Sequence, residues 1–516
     1  MLDALGQFMK LNAESLRMNY FCRGIKRGRK YVCNYGANDP EMISRAVNLL
    51  YEIIKRMLVW RVWEIWWVEE VMDELLEIRD RIEVQLRNKY DERIIREILG
   101  LVDYLIKYIE EFREYWLKVN SEVKNMIEDL TSGKAMVIIR GEGVSGITVH
   151  YGEHITLTVS RVSSEITIKL LPKGFNGITI KVPNVFVMVM GKEEYAKFLK
   201  ELLIAMKGGF DETDGLINKG KAAMSTSQSW QALFWALLNY GKVRIRINAV
   251  NINENDVKIV WYLRSRHKSL KGIIPKNAEK LSKEVLLSFM FTVVLGDGNV
   301  RIERYVDNGR TYDKPIIRLT MSRKKFAMWN QLLERLREMG FIHGKPISRR
   351  NTIEVEFYSS IAINLANAMI STLPPIIRDI LDALSFKKWM NLRQIATMEL
   401  KYRKGASQVI VAGYGFTVNI RKNTIKLLHW EKDETGINEV LNALKMRYGD
   451  EFARRVRVNR SGRRLVVVIA MGVFEKYDDI KRQVVKVLHQ KYEEAKDEIK
   501  RQIIAKYLKR LTSHGE

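Results

Sequence analysis

The sequence predicts an α+β multidomain protein with a helical N-terminal region, an α+β middle domain and two tandem units of order α-β-β-α-β-β-α. The chain has 516 residues, more than one hydrophobic core usually serves, so several domains are expected. Its composition, 47% hydrophobic and 29% charged, is that of a folded protein. The spacing of apolar residues is helical up to about residue 131, and strand-like and helical segments alternate after it.

Net charge is the first functional observation. The chain carries a formal charge of +26, of which residues 281–516 hold +18 and residues 1–280 hold +8. Such a surplus causes self-repulsion unless a polyanion screens it, so nucleic acid is the favoured partner and the second half is expected to bind it. A thermophilic surface rich in ion pairs remains an alternative that explains many charges but not their imbalance.

Cysteine usage and the apolar segments predict a cytoplasmic protein. Cys22 and Cys33 are too few for a disulfide framework and lack the CxxC spacing of a zinc site. The first residues show no signal-peptide pattern. Arg61 and Glu64 interrupt the most apolar window, residues 57–72, so no membrane helix is expected there.

Residues 1–131 are predicted to be a helical region, because apolar residues recur at three- and four-residue steps from residue 41 onward. Four tryptophans of this region have helical spacing, which favours core contacts over a stacking platform for bases. They are Trp60, Trp63, Trp66 and Trp67.

Residues 134–275 are predicted to form an α+β domain whose role the sequence does not define. Alternating apolar stretches indicate strands, and two helices are expected near residues 192–207 and 226–241. Residues 215–222, GLINKGKA, match most of a Walker A loop. Because Ala222 replaces the Ser or Thr that would bind magnesium, and the preceding DETD is not a strand, a phosphate-binding loop is disfavoured.

The second half contains two predicted units of the same element order. The first, residues 281–385, begins with the helix LSKEVLLSFMFTVVLGDG, and the last helix of its α-β-β-α-β-β-α order is stopped by Pro374 and Pro375. The second, residues 386–516, repeats the order without sequence identity and ends in a long helix.

The first helix of unit one ends in the residues Leu295-Gly296-Asp297-Gly298-Asn299. By itself this is a glycine-capped helix end followed by a turn. Followed by α-β-β-α-β-β-α, it resembles the LAGLIDADG homing endonuclease family, in which two motif helices pack side by side and each presents one carboxylate to divalent ions at the scissile phosphates. The resemblance implies double-stranded DNA as partner, and Asp297 as the catalytic and metal-binding acid, with Gly296 beside the metal. Mg²⁺ would be the cofactor if the protein is an active nuclease.

The motif also departs from the family. Met290, Phe291 and Thr292 stand where the family has Leu-Ala-Gly, so the small residues that let two motif helices touch are missing, and Phe291 is expected to hold a partner helix off. Glu399 is a weak candidate for the second acid. Asp297 would pair with such an acid in a monomer with two pseudo-repeats, or with Asp297 of another copy in a homodimer.

Strand alternation predicts DNA contacts on unit one. Basic and polar residues fall on one face of the first two strands and just beyond the second, although Glu354 and Glu356 on the fourth strand are unfavourable to phosphates. The predicted contacts are Arg301, Lys314, Arg318, Thr320, Arg323 and Lys324.

In unit two, arginines alternate with valines along a predicted hairpin and favour phosphate contact over a charged, solvated edge. The predicted contacts are Arg455, Arg457, Arg460, Arg463 and Arg464.

Three functions follow from these features. The first is a DNA-binding protein of LAGLIDADG type, associated with a mobile element, that has lost cleavage; the missing second acid and Phe291 favour it. The second is an active magnesium-dependent double-strand DNA endonuclease. The third is a structural or partner-binding protein that uses the N-terminal helices. The residues LGDGNV at 295–300 follow the stretch MSTSQSWQALFWALL at 224–238, and in this whole-chain plan the sequence also resembles the repeat-encoded PaRep-type proteins of hyperthermophilic crenarchaea.

Overall fold

The computed structural model describes residues 20–22, 40–132, 138–140, 146–162, 165–189, 193–307, 310–398, 408–431, 433–461, 464–495 and 497–512. The chain forms two compact units. Unit A comprises Met1–Ile274, Glu284–Asp297 and Met369–Met390, and unit B comprises Pro275–Lys283, Gly298–Ala368 and Asn391–Glu516. The division differs from the predicted domains, because the helix at 284–297 belongs to unit A while the strands that follow it belong to unit B.

Three long helices open unit A: α1 (Pro40–Val59), α2 (Trp66–Leu86) and α3 (Glu92–Thr131). Asp91 caps α3 by accepting a hydrogen bond from the Arg93 amide at 2.8 Å. Trp67 is fully buried, and its ring meets that of Trp116 edge-on at 5.0 Å. The prediction of a core role is therefore confirmed for Trp67, whereas the other three tryptophans of the group are half-buried.

A ten-stranded sheet forms the second layer of unit A, in the order β1-β2-β3-β4-β5-β9-β10-β8-β7 with β6 paired to β9. Its strands are β1 (Tyr20–Cys22), β2 (Ile138–Arg140), β3 (Gly146–Tyr151), β4 (Ile155–Val162), β5 (Glu165–Pro172), β6 (Ile178–Val182), β7 (Gly215–Asn218), β8 (Lys221–Thr226), β9 (Gly241–Ile252) and β10 (Val257–Lys268). β1 pairs parallel with β2, so a strand from the region predicted to be helical joins this sheet.

The remaining helices of this part of the chain are α4 (Val185–Met188), α5 (Glu193–Glu212), α6 (Ser229–Leu238), α7 (Ile273–Lys276) and α8 (Lys283–Gly296), with a 3-10 turn at Ala278–Lys280 between the last two. Every residue of α8 from Val285 to Leu295 is buried. A helix that is apolar on all sides belongs in a core, and α8 occupies such a position in unit A.

Unit B begins with a four-stranded antiparallel sheet in the order β11-β12-β14-β13. Its elements are β11 (Gly298–Asp307), β12 (Arg310–Ser322), α9 (Arg323–Met328), α10 (Asn330–Glu338), β13 (Ile347–Ser348), β14 (Thr352–Tyr358) and α11 (Ser360–Thr372), followed in the chain by α12 (Pro375–Leu384) and α13 (Lys387–Thr397). The register pairs Asn299 with Arg318 and Glu303 with Lys314, so the predicted residues of the first two strands share one face.

A five-stranded sheet in the order β15-β16-β17-β19-β18 completes unit B. Its elements are β15 (Gln408–Val411), β16 (Tyr414–Arg421), β17 (Thr424–Glu431), α14 (Glu434–Arg455), β18 (Arg457–Ser461), β19 (Arg464–Ala470), α15 (Met471–Phe474), α16 (Asp478–Glu494) and α17 (Glu498–Thr512). Among the described residues, its core includes α14–α17 but no residue of α13. The predicted second unit therefore has no motif helix packed on its own sheet.

Within the part of the chain that the structure describes, no single helix is long and apolar enough to cross a membrane. The pair α11 and α12, bent by 114°, passes the same test of length and composition.

Candidate functional site

Helices α5 and α8 of unit A approach each other at backbone distance. A Cβ atom at Gly209 in α5 would lie 2.1 Å from Thr292 Oγ1 and 2.5 Å from the Phe289 carbonyl in α8. One turn further along, a Cβ atom at Gly296 would lie 2.2 Å from Thr213 Oγ1. Only glycine fits at either point without a shift of the helices, so the small residues that Met290–Thr292 lack are supplied partly by α5.

The contacts join equivalent positions of the two helices. Gly209 meets Thr292 and Thr213 meets Gly296, and the members of each pair are 83 positions apart in the chain. The same offset separates Asp214 from Asp297. Equal offsets at two successive contacts are what two helices related by an approximate two-fold axis produce.

The strands that follow each helix have the same pairing order. After α5 the order is β7-β8-β10-β9, and after α8 it is β11-β12-β14-β13, with a helical segment between the two hairpins each time. The prediction that residues 386–516 supply the partner of α8 is therefore corrected, because α5 packs against α8 in equivalent register. Glu399, the predicted candidate for the second acid, lies outside the described residues.

The segment Asp211-Glu212-Thr213-Asp214-Gly215 ends α5 and divides its polar groups between two tasks. Asp211 Oδ2 accepts hydrogen bonds from the Leu270 amide at 2.7 Å and from Ser269 Oγ at 3.2 Å, and Glu212 accepts one from the Gly272 amide. The first two acids thus anchor the start of the linker that leads to α8. Thr213 and Asp214 turn instead toward α8.

Asp214 lies against the C-terminal end of α8. Its Oδ2 is 3.1 Å from the position of a Cβ atom at Gly296, the residue before Asp297. Gln231 Nε2 donates a hydrogen bond to the same oxygen at 2.5 Å, which orients the carboxylate. Asp214 is half-buried and Asp297 is exposed, so the packed helix pair presents one carboxylate from each helix at one end.

Lys388, near the start of α13, completes this end of the helix pair. Its Nζ donates hydrogen bonds to the Leu295 carbonyl at 2.8 Å and to the Gly296 carbonyl. Burial lowers the pKa of the ammonium group, and the charges of Asp214 and Asp297 raise it. A half-buried cation therefore caps α8 within the field of both carboxylates.

Phe291 does not hold the partner helix off, contrary to the prediction. Its side chain is fully buried and meets the Trp389 ring edge-on at 5.8 Å. Thr292 is the residue of α8 that faces α5, and its hydroxyl donates to the Phe289 carbonyl of its own helix at 3.1 Å.

The residues around Asp297 do not fit a divalent ion in this arrangement. The Gly296 carbonyl accepts from Lys388, and Asp214 Oδ2 already accepts from Gln231. A divalent ion next to the ammonium group would meet strong repulsion. Among the described residues there is also no group of three or more His, Cys, Asp and Glu side chains placed to hold a metal.

The DNA contacts predicted on unit B are largely charge-compensated. Arg301 pairs with Glu303 at 2.7 Å, and Arg318 pairs with Glu356 at 2.5 Å and with Glu354 at 3.6 Å. The register places Glu356 directly opposite Arg318, which strand alternation alone does not show. These two arginines offer little net positive charge to a phosphate.

The other predicted residues of this sheet and its flank differ in their surroundings. The Lys314 ammonium lies 5.1 Å from the centre of the Tyr358 ring, which holds it over an aromatic face. Thr320 and Lys324 are exposed, and Arg323 donates a hydrogen bond to Ser348 Oγ at 3.1 Å.

The basic hairpin of the C-terminal sheet does not form one platform. Arg455 lies in α14, where it pairs with Glu451 at 2.8 Å. Arg457 and Arg460 differ by three positions along β18, so they point to opposite faces of the edge strand. Arg464 starts β19, and Arg463 lies outside the described residues.

A cationic surface that the sequence analysis did not identify covers one face of the unit A sheet. The register places Lys181 opposite Lys242 and Arg244 opposite Arg264, while Arg246 follows two positions after Arg244 on β9. Among the described residues, no acid forms an ion pair with any of these five side chains, which we call the cationic face. The signal in the sequence is KVRIRI at 242–247, in which basic residues alternate with buried aliphatic residues.

We predict opposite effects of alanine at two helical glycines. Gly209→Ala forces a methyl group against Thr292 and the Phe289 carbonyl, and should lower the free energy of unfolding by about 1–3 kcal/mol. Gly100→Ala in α3, where no atom lies within 4 Å of the added Cβ, should raise it by about 0.5–1 kcal/mol. Denaturant unfolding of both variants measures this, and equal effects would contradict the close contact of α5 and α8.

We predict that Asp211 makes stability depend on pH. Burial raises the pKa of its carboxyl group from 3.8 to about 6, and its Oδ1 accepts no hydrogen bond. As the pH rises, the carboxyl group loses its proton at a lower pH in the unfolded chain than in the folded one. The free energy of unfolding therefore falls by up to about 3 kcal/mol between about pH 4 and pH 6. Asp211→Asn keeps the acceptor for Leu270 and cannot titrate.

The melting temperature of Asp211→Asn relative to the wild type should consequently rise between pH 4 and pH 7. Thermal unfolding at several pH values checks it. A difference between the two chains that stays constant over this range would show that the Asp211 carboxyl is not the group responsible.

Comparison with models of known protein families and with curated proteins finds no match. Among solved structures, the chain is similar to the LAGLIDADG homing endonuclease I-GzeII in complex with its DNA target, at 12% sequence identity and a TM-score of 0.14. The match covers 46% of this chain and 100% of that chain. A TM-score this low supports no conclusion about function, and the proposals below rest on this chain's own residues.

Proposed function

We propose that this protein binds double-stranded DNA through the cationic face of unit A. The observation that carries the proposal is the set of five Lys and Arg side chains on β6, β9 and β10 without an acidic partner among the described residues. Uncompensated cations on one surface raise the local potential and bind phosphates with release of counterions. A net charge of +26 adds long-range attraction to the same partner.

The shape of this surface suits a duplex. Side chains two positions apart on a strand are about 6.8 Å apart, and adjacent strands are separated by about 4.8 Å, so the basic side chains of three adjacent strands are spaced closely enough to contact several backbone phosphates of a duplex at once. Arg246 also stacks over the Tyr262 ring at 4.5 Å and donates to Asn248 at 3.1 Å, which limits the freedom of its guanidinium group before binding.

We expect the double variant Arg244→Gln/Arg264→Gln to bind a DNA duplex at least about tenfold more weakly than the wild type. Removal of two phosphate contacts should also reduce the slope of log Kd against log salt by about 2. Fluorescence anisotropy at several salt concentrations measures both quantities.

The matched control is Arg87→Gln/Arg96→Gln, which removes the same charge from two exposed positions, the residue that follows α2 and a residue within α3. There both arginines pair with glutamates of their own helix, Glu83 and Glu92. An equal loss of affinity in the two double variants would show that only total charge matters. A wild-type protein that retains no duplex at physiological salt would instead favour a structural or partner-binding role.

A metal-dependent DNA endonuclease is the second candidate function. One specific observation favours it: Asp214 and Asp297 follow equivalent positions of the two packed helices, which is the arrangement that the resemblance to the LAGLIDADG family implies. The hydrogen bonds of Lys388 to the Leu295 and Gly296 carbonyls disfavour this function, because they use oxygen atoms next to Asp297.

Incubation of plasmid DNA with Mg²⁺ separates the two candidates. An endonuclease linearises the plasmid, and both Asp214→Asn and Asp297→Asn abolish the cutting while duplex binding persists. A DNA-binding protein without cleavage leaves the plasmid intact in all three chains. We expect the second result.

A further inference from the structure

We infer that the Lys388 ammonium group is the resident cation of the Asp214–Asp297 site and stands in place of a divalent metal. This deepens the proposed function, since it gives a physical reason why the site holds DNA without cutting it. The effect on cleavage rests on the proposed function. The presence of Lys388 at the site does not, because it can be tested without DNA.

The hydrogen bonds of Lys388 carry the inference. Two of its three N–H donors point at the Leu295 and Gly296 carbonyls, the last two of α8 before Asp297. These carbonyls lie at the negative end of the helix dipole and have no partner within a helix that ends here. The ammonium therefore uses oxygen atoms that a metal at the same place would need.

The two carboxylates supply the second reason. A Cβ atom at Gly296 would lie 3.1 Å from Asp214 Oδ2, and Asp297 is the next residue after Gly296. Two carboxylates presented at one helix end repel each other unless a cation lies nearby. Lys388 supplies one positive charge here, and a divalent ion would have to displace it together with its two hydrogen bonds.

The position of Lys388 is fixed by its neighbours, unlike that of a mobile surface lysine. Trp389 is fully buried, and its Nε1 donates to Asp382 Oδ1 at 2.7 Å while its ring packs on Phe291. Phe386, two positions before Lys388, stacks on Trp230 at 3.6 Å. Anchors on both sides of Lys388 fix the backbone at the start of α13 within unit A, so the ammonium group is held at the end of α8.

Binding of Mn²⁺ in the absence of DNA tests the inference, with free Mn²⁺ measured by electron paramagnetic resonance. Lys388→Met removes the ammonium and keeps the length of the side chain, and Lys387→Met is the matched control on an exposed neighbour. We expect Lys388→Met to gain one site that binds Mn²⁺ at least about tenfold more tightly than the wild type or the control. Adding Asp297→Asn to Lys388→Met should abolish that gain.

A stoichiometric Mn²⁺ site in the wild type, or a folded Lys388→Met chain whose Mn²⁺ affinity equals that of the wild type, would overturn the inference. Neither result touches DNA binding, which the anisotropy measurement tests separately.

A second measurement does not depend on the folding of Lys388→Met. Asp214→Asn/Asp297→Asn in the otherwise wild-type chain leaves the Lys388 ammonium without its carboxylates and should lower the melting temperature. A higher melting temperature would mean that the two carboxylates repel each other without a resident cation, and would also overturn the inference.

Discussion

The contact between α5 and α8 at Gly209 and Gly296 determines the rest of the site. Because each helix offers a residue without a side chain where the other presents a threonine, the two backbones meet at two successive turns. Their C-terminal ends then coincide, and Asp214 and Asp297, which follow at the same offset, are brought to one place. A side chain at either glycine would force the two backbones apart by about 1 Å and displace the two carboxylates relative to each other.

Unit A contains positively charged side chains in two different surroundings, and the surroundings indicate different roles. Lys388 is half-buried and bonded to carbonyls at the end of α8, so its charge is used within the protein. The lysine and arginine side chains of the cationic face share one face of β6, β9 and β10, where their charge stays available to a polyanion. Both kinds of positive charge agree with the proposal that this protein binds DNA, with part of the charge of the carboxylate pair offset by a cation of the protein itself.

Part of this could be predicted from the sequence. The apolar run before Asp297, the strands after it and the face shared by Arg301 and Glu303 all follow from local periodicity. The partner of α8 could not be found, because Asp211-Glu212-Thr213-Asp214 looks like a polar turn until the structure shows that its first two acids anchor a linker. The ion pair of Arg318 with Glu356 joins two strands that are distant in sequence. Lys388 lies 91 positions after Asp297. Both contacts are tertiary, and no local sequence pattern indicates them.

A disulfide between Thr213→Cys and Gly296→Cys tests the central contact most directly, in a chain whose Cys22 and Cys33 are replaced by serine. A Cβ atom at Gly296 would lie 2.7 Å from Thr213 Cβ, so a shift of about 1 Å reaches the 3.5–4.5 Å of a disulfide. If α5 and α8 pack as described, mild oxidation should link the two cysteines quantitatively within the folded monomer, as read by mass spectrometry after proteolysis. Free thiols after oxidation of the folded chain would contradict the pairing of these helices.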